Sequence, residues 1–84
     1  MVKPYTDDGN IRVFSEDVVD DELVWHRDEQ TRIVTVLEGT GWSFQRDNEL
    51  PIPLYPGNKI YIEAYEYHRI IKGQTDLKIK IEEN

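Results

Sequence analysis

The chain has 84 residues, ten of them Lys or Arg and 17 Asp or Glu, giving a formal net charge of −7, and it has no cysteine. That length makes one domain with a modest core, and the missing cysteine excludes disulfides and thiolate metal sites. The acidic balance argues against nucleic acid, whose phosphates nothing would neutralise, and against an anionic membrane surface.

The kind of apolar residue is more telling than the amount. Nine Ile, seven Val and five Tyr stand against a single Ala, Ala64. Branched and aromatic side chains suit a pleated surface, and a chain so poor in Ala makes weak helices. The expectation is an all-β single domain over residues 1–84. No apolar run approaches membrane-spanning length, and Met1-Val2-Lys3-Pro4-Tyr5 leads into no secretory stretch, so a cytoplasmic location is expected.

Residues 1–10 end in the turn signal Asp7-Asp8-Gly9-Asn10 and read as a loose arm or an edge strand. Ile11 to Phe14 reads as a short strand, and the acidic run Ser15 to Glu22 as a loop or one helical turn. Seven strand-like runs follow: Leu23–Arg27, Arg32–Glu38, Gly41–Arg46, Leu50–Leu54, Lys59–Ala64, His68–Lys72 and Leu77–Ile81. Asp28-Glu29-Gln30, Gly39-Thr40-Gly41, Asp47-Asn48, Pro56-Gly57-Asn58 and Gly73-Gln74 punctuate them. Short strands at this spacing signify a sandwich or barrel.

Leu77-Lys78-Ile79-Lys80-Ile81 alternates cleanly, with one buried and one wet face. Arg32–Glu38 differs: Val34 and Val36 point one way, Ile33 and Leu37 the other, and both faces are apolar. A strand apolar on both faces must be covered on both. The second cover is expected to be another copy of the chain, in a two-fold homodimer. The alternative is the N-terminal arm folding back over that face.

From Trp25 onward the sequence resembles the cupin family, over about two-thirds of the chain, and most closely its small single-domain, RmlC-like members. The first cupin motif sets two His one residue apart, a Glu four positions on, and a Gly seven beyond. Here those spacings hold His26, Asp28, Arg32 and Gly39. The second motif runs from a Pro-Gly turn through an apolar strand to a Pro-x-Gly turn and a third His. It reads here Pro56-Gly57, Lys59 to Ile62, Glu63-Ala64-Tyr65 and His68. The scaffold signals are kept; the ligand signals are half kept, with Asp28 for a His, Arg32 for the Glu, and Glu63 and Tyr65 for the Pro and Gly.

The resemblance implies an antiparallel double-stranded β-helix, the cupin or jelly-roll barrel, with His26, Asp28, Arg32 and His68 converging at one end. It implies a divalent transition metal (iron, manganese, nickel or zinc) held by His26, Asp28 and His68, two imidazoles and a carboxylate with positions left open. A small polar molecule would bind beside it, with isomerase- or oxygenase-like activity as the accompanying expectation. The other reading turns on Arg32, whose guanidinium repels a divalent cation and clasps a carboxylate. Asp28 is then its partner, and the pocket binds a carboxylate or sugar without metal, or the barrel is a structural dimer with a decayed site. Arg32, Trp42, Tyr65 and Tyr67 are the candidate ligand-binding residues, since aromatic faces stack on flat or sugar-like ligands. Trp42 and Phe44 are equally suited to fill the barrel, and Tyr65 and Tyr67 to rim its mouth. Asp20-Asp21 and Glu82-Glu83 read as solvated acidic faces.

Overall fold

The computed structural model describes residues 4–19 and 23–83. All its regular elements are strands: β1 (Tyr5–Asp8), β2 (Ile11–Phe14), β3 (Arg32–Glu38), β4 (Ser43–Arg46), β5 (Ile52–Pro53), β6 (Lys59–Ile62), β7 (His68–Ile71) and β8 (Leu77–Glu83). They form a five-stranded sheet in the order β1-β2-β8-β3-β6 and a three-stranded sheet in the order β5-β4-β7. Every pairing is antiparallel. Chain neighbours often lie in different sheets, which is the expected double-stranded β-helix, the jelly-roll barrel. Among the described residues no helix is long and apolar enough to cross a membrane.

Strand parity puts the core between the sheets. Phe14, Val34, Val36, Ile60, Ile62, Leu77 and Ile79 are buried from one side, and Trp42, Phe44 and Leu54 from the other. Register stacks them, with Phe14 opposite Leu77 and Val36 opposite Ile79. The clean alternation of β8 survives as buried Leu77 and Ile79 with half-buried Lys78 and Lys80 between them. The ladder between β3 and β8 slips by one residue past Val36, so that Glu38 faces Lys78. Such a bulge bends the strand at the rim of a barrel.

Two turns rest on close approach. A Cβ on Gly73 would lie 2.4 Å from both the Thr40 carbonyl and Trp42, and one on Gly39 (φ 147°) would meet Leu77 at 2.8 Å. Both glycines let a loop close over the buried Trp42 end.

The N-terminal segment is an edge strand: β1 pairs with β2, and the Tyr5 ring meets Phe14 at 5.4 Å. It therefore extends the sheet and does not lie over the outer face of β3. The Ser15–Glu22 run is a turn as far as Val19, closed by Val18 N–H donating to the Ser15 carbonyl at 3.1 Å and anchored by buried Val18. Asp20, Asp21 and Glu22 lie outside the described residues.

The expected strand Leu23–Arg27 is reduced to one isolated bridge, His26 opposite His68. Both backbone bonds of that pair form, at 3.0 and 2.9 Å, and Tyr65 N–H donates to the Asp28 carbonyl at 2.7 Å. The segment thus lies along β7 without a longer ladder.

Candidate functional site

The single bridge carries the site. In an antiparallel pair that exchanges both hydrogen bonds, the two side chains leave the sheet on the same face. His26 and His68 are such a pair, and their ring centroids stand 4.4 Å apart in an edge-to-face arrangement. Asp28, two residues on, returns to the same face. One ligand atom from each of His26, Asp28 and His68 lies within 4.8 Å of the others, a group able to hold a metal ion.

The imidazoles are oriented by the backbone. His68 Nδ1 lies 2.8 Å from the Glu66 carbonyl, and His26 Nδ1 lies 3.1 Å from the Val24 carbonyl. A carbonyl only accepts, so each Nδ1 carries the proton, and in the neutral ring Nε2 presents a lone pair. This is the arrangement of a metal-ligating histidine, whose other nitrogen is fixed by a backbone oxygen. Burial, aided by His26, lowers the His68 pKa below 6.5, against the raising influence of the Glu66 carbonyl and of Asp28, and so favours the neutral ring.

His68 Nε2 stands 3.3 Å from Asp28 Oδ2, and His26 Nε2 stands 3.9 Å from Asp28 Oδ1. Asp28 Oδ2 is buried and accepts no hydrogen bond. A carboxylate oxygen facing the lone pair of a neutral ring is an acceptor against an acceptor, an arrangement that costs energy unless a cation lies between them. Two ligands each about 2.1 Å from one transition-metal ion stand roughly 3–4 Å apart. The donor set fits such an ion, and the 3.3 and 3.9 Å separations fall in that range, while the group as a whole spans up to 4.8 Å and would draw in on binding.

Arg32 opens β3 and reaches the same cluster. Its Nη1 is 3.5 Å from Asp28 Oδ2, but its Nε is 2.8 Å from Glu83 Oε2, directly across the ladder on β8. Asp28 is therefore not its main partner. Two carboxylates against one guanidinium leave the cluster with one net negative charge, which suits a cation. Glu82 and Glu83 are both exposed, as a solvated acidic face should be, but Glu83 shares the parity of Leu77, Ile79 and Ile81, the signal that puts its carboxylate within reach of Arg32. Arg12 was overlooked: it shares parity with buried Phe14, and it makes two bonds to Asp7, at 2.8 and 3.1 Å.

A cavity of about 650 Å³ opens beside this cluster. His26, Asp28, Arg32 and His68 line one part of it, and most of the remaining wall is aliphatic or aromatic. Trp42 does not line it. That side chain is 1% exposed, packs on Phe14 at 6.0 Å between ring centroids, and donates its Nε1–H to the Thr75 carbonyl at 2.7 Å. It fills the closed end of the barrel. Tyr65 and Tyr67 are exposed and stand outside the cavity wall, Tyr67 facing the Arg27 guanidinium at 5.2 Å. Of the ligand-binding candidates, the cavity brings in Arg32 alone.

No family model and no curated protein matches the chain. Among solved structures, a chain from the crystal structures of the DMSP lyases RdDddP and RnDddQII superposes with a TM-score of 0.71 at 15% sequence identity. The match covers 84% of this chain and 34% of that one, so this chain spans about a third of the length of its structural neighbour. The likeness supports a cupin-like fold.

Proposed function

We propose that this chain is a small metal-binding barrel in which His26, Asp28 and His68 hold a divalent transition metal (iron, manganese, nickel or zinc) and the adjoining cavity takes a small molecule. The observation that carries the reading is Asp28 Oδ2, buried with no hydrogen bond and 3.3 Å from the unprotonated face of His68, its one cationic neighbour among the described residues being Arg32 Nη1 at 3.5 Å. A metal bound there supplies a Lewis acid with open positions, the chemistry of isomerase- or oxygenase-like turnover and equally of ligand capture. The chain's own residues do the positioning. The Val24 and Glu66 carbonyls fix the two rings, and Glu83 takes the closer contact with Arg32, at 2.8 Å against 3.5 Å to Asp28. A metal-free anion site on Arg32 is disfavoured by that same 2.8 Å pair, which already engages the guanidinium.

The test is elemental analysis of protein purified without a histidine tag, after incubation with Fe(II), Mn(II), Ni(II) and Zn(II). About one ion per chain is expected. A content near zero for all four would remove the metal.

A cytoplasmic homodimer belongs to the same reading. Trp25, Leu37 and Tyr61 are exposed on the outside of the barrel, and Tyr61 lies beside Ile33 across the β3–β6 ladder. A sedimentation mass of two chains is expected, and a mass of one chain at high concentration contradicts it.

A further inference from the structure

The polar groups of the cavity are gathered on one side. His26, Asp28, Arg32 and His68 form one cluster, and Arg12 stands near it, because Arg12 and Arg32 also line a second, polar cavity of about 300 Å³ with Asp7, Asn10 and Glu83. Away from that wall, and apart from Tyr5, the larger cavity is bounded by side chains such as Phe14, Val34, Phe44, Leu54 and Leu77, which offer no hydrogen-bonding group. The backbone polar groups of β2, β3 and β8 are engaged in their ladders. A sugar or polyhydroxy acid placed there would bury hydroxyls against hydrocarbon, at a cost for each one left unpaired. An alkyl or aryl body would instead gain with every carbon removed from water.

We infer that the ligand of this cavity is a monocarboxylic acid with an apolar body, its carboxylate turned to the metal that His26, Asp28 and His68 would hold, and its hydrocarbon running toward Phe14 and Leu77. This names the ligand class for the binding reading above and rests on that cavity being the ligand site. It narrows the expectation from the sequence, a small polar molecule or a carboxylate or sugar, to one class. An 84-residue chain has little core to spare, and this one keeps an open cavity of about 650 Å³ bounded mainly by apolar side chains.

The experiment is calorimetric titration of the intact protein with butanoate, hexanoate, octanoate and decanoate, with gluconate and octan-1-ol as controls. It is run once with Mn(II) present and once in EDTA, and Mn(II) binding is measured separately without acid. Affinity should rise about fourfold per added methylene, more than a hundredfold from hexanoate to decanoate. Gluconate should not bind, and octan-1-ol should bind at least tenfold more weakly than octanoate. Affinity independent of chain length, or gluconate binding as well as octanoate, would overturn the inference. Octan-1-ol binding as tightly as octanoate would overturn its carboxylate half. Val34→Phe, which fills the cavity from within, should abolish the gain from long chains while Mn(II) binding persists. Undiminished decanoate binding in that variant would place the hydrocarbon elsewhere and overturn the inference too. The metal reading fails separately: chain-length dependence without Mn(II) binding removes the metal and the carboxylate's place on it and keeps only the apolar body, and Mn(II) binding without chain-length dependence overturns the inference and keeps the metal.

Discussion

At the scale of single residues, the site is governed by where two protons sit. Each imidazole gives its Nδ1 proton to a carbonyl two residues earlier in the chain, Val24 for His26 and Glu66 for His68. That leaves two Nε2 atoms and the Asp28 carboxylate facing one another, with Arg32 at the margin. Because burial, foremost, holds the His68 pKa below 6.5, the unfolded chain takes up a proton that the folded chain resists. The unfolded state then binds more protons, so the stabilisation is complete above pH 6.5 and is lost as pH falls below it. In EDTA, the melting temperature should drop between about pH 7 and pH 5, and part of that slope should vanish in His68→Gln. An identical slope in the variant would contradict the account. Arg32→Glu exchanges a cation for a third carboxylate near the cluster. Metal affinity, measured by calorimetry, should rise by about tenfold or more, while the metal-free protein should melt at a lower temperature. Weaker binding would mean that Arg32 does not act on the site.

At the scale of elements, parity and register did most of the placing, and of the two only parity was legible. Arg32–Glu38 is β3 as expected, and the inward set Ile60, Ile62 and His68 is buried. The same rule reaches Arg12 through Phe14 and Glu83 through Ile81, although Glu83 keeps the exposure expected of an acidic face. What the sequence concealed is long-range pairing: nothing local says that Glu83 lies across from Arg32, fifty-one residues away, and so competes with Asp28 for it. Trp42 was ambiguous for a related reason, since an inward aromatic serves a core and a pocket equally until the depth of the cavity is known. Tyr65 stands where the cupin pattern has glycine, yet it keeps a left-handed backbone with φ 65°. A non-glycine residue there costs roughly 1–2 kcal/mol, in part offset because glycine has more freedom to lose. Tyr65→Gly should therefore leave the fold intact and raise stability in urea by up to ~1 kcal/mol. A clear loss would show that the tyrosine side chain contributes contacts exceeding the strain.

At the scale of the whole molecule, folding brings together two histidines separated by forty-two positions, the two in the chain. Eight short strands, a hydrogen-bonded bridge and a one-ended polar wall make that meeting the centre of the structure. A chain of this size without disulfides is helped by any ligand that binds only the folded state, and a metal at this point would tie the bridge, Asp28 and β7 together. The most direct test uses the fact that two histidines give four ring nitrogens. With ¹⁵N-labelled histidine, nuclear magnetic resonance follows all four while Zn(II) is added to the tag-free protein. The account predicts that both Nε2 signals shift together, saturating at one Zn(II) per chain, while both Nδ1 nitrogens stay protonated. Nε2 signals that do not move, or a shift confined to one ring, would contradict it.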